Sequence, residues 1–395
     1  MTTIQSNDIL STILQHIHSL AVDIGARGST TDGERRGAEY CRNVFSGLGL
    51  QPVMETFTSG RSIFLPHLYA SILYLVSFGL FAVGSPLVRW IAALLSLLTL
   101  AEELLELGFQ DNIYRWFMPK GGSQNVQAVV APAGEYRQDL VLIGHIDTQR
   151  TPLIFSTARW VNVYKNFTTV AFVLFALQGI IYLLGAILGL GWVWYPSILS
   201  AICALVLAAI CIQADATPFT AGANDNASSV AMVLALAEEL SRNPLQHTRV
   251  TCLCSGCEEI EHFGAITFFK NHRSELRNPK GLVFELLGCA GPGWLTREGI
   301  IIPFHSDPQL RQMVEKISDS HPDWGAYPVK ISGGISEMAD CVRAKVPAIT
   351  IFGLEKNGDA PYWHQVGDTY DKIDRQVLRK THALTWELIQ EIDRS

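Results

Sequence analysis

Charge is scarce in this chain. Only 17% of its 395 residues are Asp, Glu, Lys or Arg, and the formal sum is -7 with a pI near 5.9. The sequence has no Lys/Arg cluster of the length a nucleic-acid footprint needs, so no nucleic-acid partner is expected. A disulfide framework is lacking too: the eight cysteines follow no regular spacing, which fits a reducing compartment and hence the cytoplasm. Residues 1–20 carry Asp8, His16 and His18 with no uninterrupted apolar core, so no signal peptide is expected. Internal repeats and low-complexity tracts are absent from the sequence.

The counterpart of low charge is 48% hydrophobic residues, concentrated in two blocks, Ile63 to about Leu104 and about Thr168 to Ile212. Gly84-Ser85-Pro86 splits the first, and the stretch from Gly191 to Pro196 splits the second. Each half runs about 17 to 22 residues, close to the ~20 that cross a hydrocarbon core. Four transmembrane helices in two hairpins are therefore expected. Buried helices of a soluble protein are the alternative, but that reading leaves Trp192, Trp194 and Tyr195 unexplained at the second turn, where an interfacial aromatic belt would sit. The weakest crossing is the second half of the first block. There Arg89 and the Glu102-Glu103 pair leave about a dozen uncharged residues, and an interfacial or re-entrant placement competes. Arg61, Arg115, Lys120, Arg150, Arg159 and Lys165 flank the near side, against Arg89 alone in the far turns, so the near side is expected to be cytoplasmic.

Outside the blocks, residues 4–24 and 32–48 repeat at helical spacing, as do 227–240 and 263–271. Short β-rich runs lie at 126–131, 140–146, 249–254, 281–286 and 347–352. Strands alternating with helices predict an α/β fold with a mostly parallel mixed sheet between helical layers. Each apolar block goes out and back, so one discontinuous domain of residues 1–62, 105–167 and 213–395 is expected, with hairpins 63–104 and 168–212 inserted in it.

The chemistry-bearing residues lie at the ends of apolar strands. Leu140 to Ile143 leads into Gly144-His145-Ile146-Asp147, where strand periodicity puts His145 and Asp147 on one face. The carboxylate can then fix which imidazole nitrogen faces a metal, although a strand-end His beside Asp is often nothing more. Asn224-Asp225-Asn226 precedes an apolar helix. As a helix cap it needs no function; as a site it offers a carboxylate that could bridge two cations.

Glu258-Glu259 follows the strand ending near Cys254, and adjacent carboxylates there are costly unless cations or protons neutralise them. One of the pair can bind a metal while the other serves as general base toward water. Cys252, Cys254 and Cys257 invite a zinc-thiolate reading, but no second cysteine pair stands at finger-like spacing and Cys252 and Cys254 alternate as core residues. Glu285 is a lone carboxylate in the apolar strand 281–286, so a metal or a cationic residue must be near it. His364 follows in a loop, where it reads equally well as an ordinary surface histidine.

In this order the pieces resemble the di-zinc aminopeptidase family that includes bacterial leucyl aminopeptidases, glutamate carboxypeptidase and glutaminyl cyclase. The resemblance extends to Gly25-Ala26-Arg27-Gly28-Ser29 and Gly37-Ala38-Glu39-Tyr40 and covers most of the chain outside the hairpins. It implies a zinc exopeptidase fold of the phosphorylase/hydrolase-like kind and two zinc ions. One would be held by His145, Asp225 and Glu285, the other by Asp225, Glu259 and His364. Glu258 would be the general base, Asp147 the partner of His145, and the Asp225-Asn226 peptide cis. Two positions depart from the family: it usually has Asp at Glu285, with Asn two residues earlier where this chain has Val283, and it tends to read Ser-Asp-His where this chain has Ser336-Glu337-Met338. The implied activity is a membrane-anchored aminopeptidase acting on short peptides. A glutaminyl cyclase-like acyltransferase and a non-catalytic scaffold or receptor are the alternatives.

Overall fold

Leu140 to Ile143 form the middle of the central sheet, and every residue of their strand is buried. A parallel strand covered on both faces needs such a continuous apolar run. The structure, a computed structural model, describes residues 3–395, with side chains from Ile9 onward. The strands are β1 (Val53–Gly60), β2 (Lys120–Val130), β3 (Gln138–His145), β4 (Thr248–Ser255), β5 (Lys280–Glu285), β6 (Gly293–Glu298), β7 (Phe304–His305), β8 (Tyr327–Lys330) and β9 (Ala348–Phe352). The helices begin with α1 (Thr3–His18), α2 (Asp32–Gly47), α3 (Phe64–Val83), α4 (Pro86–Leu107), α5 (Ile113–Phe117), α6 (Ala158–Leu188) and α7 (Ile198–Asp215). They continue with α8 (Ser228–Arg242), α9 (Phe263–His272), α10 (Pro308–Ser320), α11 (Met338–Arg343) and α12 (Arg375–Arg394).

The described chain divides into two compact units. The first comprises Met1–Ser59, Lys120–Arg150 and Phe219–Ser395; the second comprises Gly60–Pro119 and Thr151–Pro218. Residues 60–62, 105–119, 151–167 and 213–218, expected with the α/β domain, thus fall in the second unit. The reason is local: α6 starts at Ala158 and runs unbroken for 31 residues, so no boundary exists at residue 168.

In the first unit the strand order is β1-β2-β4-β3-β5-β9-β6-β7, with β8 beside β6. β4, β3, β5 and β9 are mutually parallel, while β2 and β6 flank them antiparallel. The expected α/β architecture is therefore present with a parallel centre and antiparallel margins. The carboxyl ends of the four central strands lie along one edge, where open α/β sheets bind ligands. α8 packs on β3, β4 and β5, and at Gly144 of β3 a Cβ would stand 3.0 Å from the Ser229 backbone carbon. That lack of a side chain lets the first turn of α8 pack closely on the end of β3.

In the second unit α3 stacks on α6 through Tyr74 against Phe175 and Phe81 against Tyr182, each pair 4.1 Å between ring centres. Three segments are long and apolar enough to cross a membrane: Phe64–Val83, Ala158–Leu188 and Gly191–Asp215. The fourth expected crossing, α4, forms as a helix but is not among them, because acids crowd its C-terminal third. Those acids turn inward. Glu106 is 1% exposed and pairs with Arg115 at 3.0 Å, Glu102 accepts from Ile113 N at 2.8 Å, and Glu103 meets His67 Nδ1 at 3.0 Å.

Candidate metal centre

β3 ends in His145, opposite Ser255 of β4, and the chain beyond Ser255 turns to present Glu258 and Glu259. β5 ends in Glu285, paired with Phe352 of β9, and the loop beyond β9 returns His364. Asp225 arrives on the turn before α8, in a peptide with Asn226 that is cis. Cys257, Leu286 and His364 adopt left-handed backbone at φ 50, 55 and 55, an uncommon choice for such residues that clusters where strand ends are re-aimed.

These turns bring all the expected side chains together. His145 Nε2 lies 3.5 Å from Asp225 Oδ1 and 3.6 Å from Glu285 Oε2. His364 Nε2 lies 3.4 Å from Asp225 Oδ2 and 3.2 Å from Glu259 Oε2. Asp225 thus belongs to two ligand groups, one with His145 and Glu285 and one with Glu259 and His364. Glu258 Oε2 is 3.6 Å from His145 Nε2, and Glu258 completes a third possible group with His145 and Glu259.

Whether these residues fit zinc can be tested on spacing. Two ligand atoms ~2.0–2.1 Å from a tetrahedral ion are ~3.3–3.4 Å apart, and the contacts within the two groups run from 3.2 to 3.6 Å. Hydrogen bonding agrees. Asp225 Oδ2, Glu259 Oε1 and Glu285 Oε1 are buried and accept no hydrogen bond among the described residues, a costly arrangement for carboxylates without a cation. Burial pushes the Glu259 and Glu285 carboxyls well above their usual range, and neighbouring acids add to the shift. Burial also lowers His364 to about 4, which leaves the neutral imidazole a metal requires. The donor set fits zinc.

Asp147 differs in detail from its expected role. His145 Nδ1 stands 3.1 Å from the Asp147 backbone carbonyl and 3.5 Å from its carboxylate, so the carbonyl is the nearer acceptor and Nε2 is left for the cluster. The Asp147 carboxylate instead accepts from Glu258 N and Glu259 N, both at 3.0 Å, and from the Ser29 hydroxyl at 2.6 Å. Burial opposes its charge, but His145 and these donors hold it below the usual carboxylate range. Asp147 therefore fixes the turn that carries Glu258 and Glu259.

Several positioning residues carry no local signal in the sequence. Asp368 accepts from Asn224 N at 2.7 Å and Asp225 N at 2.9 Å, pinning the loop of the shared ligand. Arg27, fully buried, donates to the carbonyls of Ile146, Ala221 and Gly222 and so ties the same loop to the end of β3. Asn226 Nδ2 donates to Glu285 Oε2 at 2.9 Å, Gln149 Nε2 to Glu259 Oε2 at 3.1 Å, and Glu34 accepts from Cys257 N at 2.8 Å. The cysteines take no part: Cys252 and Cys254 are buried in β4, and burial pushes the Cys252 thiol up to about 12.

The chain is similar to known proteins in sequence and in fold. Residues 213–389 match the family model of Peptidase family M28. Over 192 residues the chain is 26% identical to a probable lipoprotein aminopeptidase, LpqL, of Mycobacterium tuberculosis. That match covers 42% of this chain, which spans only 38% of the length of that relative. The fold is similar to a zinc aminopeptidase from Bacillus subtilis, at 12% identity and TM-score 0.58, covering 97% of this chain and 95% of that one. It is similar as well to a glutaminyl cyclase from Fimbriiglobus ruber, at 15% identity and TM-score 0.56, covering 96% and 94%. The chain thus resembles Peptidase family M28 in sequence across residues 213–389, within a fold shared with zinc aminopeptidases and glutaminyl cyclases.

Proposed function

We propose that this protein is a membrane-anchored, zinc-dependent exopeptidase that removes N-terminal residues from short peptides. The observation that carries the reading is Asp225 shared between two ligand groups, with the carboxylate of Glu258 beside them. His145, Asp225 and Glu285 would hold one zinc ion, and Asp225, Glu259 and His364 the other. When bound, zinc supplies Lewis acidity toward the scissile carbonyl and toward water. Glu258 takes the proton from the attacking water and returns it to the leaving amine. Asp147 keeps Glu258 and Glu259 in register through their backbone N–H groups.

The three apolar segments supply the anchor, and the Lys/Arg bias of the flanking sequence supports a multi-pass arrangement with the first unit in the cytoplasm. The likeness to a glutaminyl cyclase fold supports a second reading, cyclisation of N-terminal Gln with release of ammonia.

The test is release of free amino acid from a panel of aminoacyl and short-peptide substrates by detergent-purified, zinc-loaded protein. Glu258→Gln should lose ~10²–10⁴-fold in turnover with its zinc content unchanged. Ammonia and pyroglutamate from Gln-peptides, with no free amino acid from the panel, would favour the cyclase. Absence of both products despite bound zinc would overturn the enzymatic reading.

A further inference from the structure

Glu258 has two oxygens with different surroundings. Oε2 faces the cluster, while Oε1 lies 3.1 Å from Nε2 of His262. His262 is 2% exposed, and its other nitrogen, Nδ1, lies 2.6 Å from Asp340 Oδ2. A carboxylate accepts and does not donate, so an imidazole between two of them carries protons on both nitrogens. Arg343 Nη1 reaches the second oxygen of Asp340 at 3.2 Å. The order Glu258, His262, Asp340, Arg343 therefore alternates in charge from the cluster outward.

The backbone at this place is unusual as well. Glu261 and His262 are both left-handed, at φ 63 and 60, in the turn just before α9. Left-handed backbone is uncommon outside glycine, and two such residues in succession persist where surrounding structure over-determines them. Here His262 N donates to the Glu258 carbonyl at 2.9 Å, so backbone and side chain of His262 both engage the same residue. Asp340 comes from α11, immediately after the Ser336-Glu337 segment where the sequence departs from its family.

We propose that His262, itself held by Asp340, is a positioning residue for Glu258: it occupies Oε1 so that Oε2 alone faces the reacting water. The inference rests on the peptidase reading. A general base must lie within hydrogen-bond reach of its proton in a narrow range of orientations, and a displacement near 1 Å costs about a hundredfold in rate. Neither His262 nor Asp340 ligates the cluster, so their loss should spare metal and substrate binding.

The experiment compares His262→Leu, His262→Gln and Asp340→Asn with the zinc-loaded parent protein. His262→Leu should lower kcat ten- to a hundredfold with KM within about twofold and zinc content unchanged. His262→Gln, which keeps an N–H donor, should recover part of the loss, and Asp340→Asn should fall between the parent and His262→Leu. A parent-like kcat in His262→Leu, or losses in KM and zinc that match the loss in kcat, would overturn the proposal. A second readout needs no turnover: proton NMR of zinc-free protein with labelled histidine should show a strongly downfield ring N–H. That signal should vanish in His262→Gln and shift in both Asp340→Asn and Glu258→Gln. Indifference of the signal to Glu258→Gln also overturns the proposal. If the parent hydrolyses no peptide while the signal behaves as stated, the peptidase reading falls and the contact stands.

Discussion

Asn226 accepts a hydrogen bond from Leu286 N at 3.1 Å and donates to Glu285 Oε2 at 2.9 Å, so one amide fixes both the end of β5 and the ligand it carries. This matters because Glu285 is longer than the Asp usual at that place in the aminopeptidase family the chain resembles, and a longer side chain has more rotamers to restrain. Asn226→Ala should therefore loosen the zinc held with His145, lowering affinity at that site ~10–100-fold. Titration with a competing chelator, followed by zinc content per chain, checks it; unchanged affinity would mean that β5 alone positions Glu285. His145, Asp225, Glu259 and Glu285 were conspicuous as candidate ligands because each stands near the end of an apolar strand or the start of an apolar helix, whereas His364, in a loop, was singled out only by its place in the family resemblance. Asp368, Ser29 and His262 were not legible. Asp368 acts on residues 143 and 144 positions away, and Ser29 on one 118 away, so nothing local marks either role. His262 lies four residues past Glu258, yet its meaning comes from Asp340, 78 residues on.

The helix α4 shows how an element can defeat a count of charges. Its acids Glu102 and Glu106 are buried in the second unit, where Glu102 accepts from Ile113 N and Glu106 Oε2 meets Asn112 and Arg115, while Leu87, Ile91, Leu94 and Leu98 point outward at 71, 50, 59 and 49% exposure. Its outer face is thus as apolar as that of α6, where Val173 is 53% exposed. In the bilayer a charged group is tolerated when it faces the bundle interior and is paired. A cysteine introduced at Leu94 in vesicle-reconstituted protein should be as shielded from a water-soluble maleimide as one at Val173. Labelling at Leu94 alone would place α4 in the interface. Among the strands, β3, β4, β5 and β9 were legible because burial on both faces demands continuous apolar runs. The marginal strands β1, β6, β7 and β8 were missed; β6 mixes Thr296, Arg297 and Glu298 into its sequence, and β7 has two residues, too few for any period to show.

For the whole molecule, composition marks two apolar segments between stretches of α/β pattern, because their residues differ so sharply from the rest. Their limits were not legible: α6 extends well before its apolar stretch, through Arg159 and Lys165, and composition marks the stretch rather than the helix. The candidate ligands come from the ends of β3 and β5, from the loops after β4 and β9 and from the turn before α8, so zinc should act as a folding ligand of the first unit. Chelation should lower the Tm of the detergent-purified protein, and adding zinc back should restore it, as expected for a ligand that binds only the folded state. Asp225→Asn should abolish the zinc-dependent part of the shift, whereas Glu258→Gln should keep it; scanning calorimetry with and without chelator distinguishes them.

The interleaving of the two units also sets an order of events during synthesis. His145 is made before the second apolar segment, and Asp225, Glu259, Glu285 and His364 only after it. A growing chain that enters the bilayer as it emerges would therefore commit its hydrophobic segments while it holds one ligand out of five. If the proposed anchoring and zinc binding hold, such a chain would reach the membrane before it could acquire zinc, and a metal-free precursor would already be confined to the surface where the proposed activity takes place.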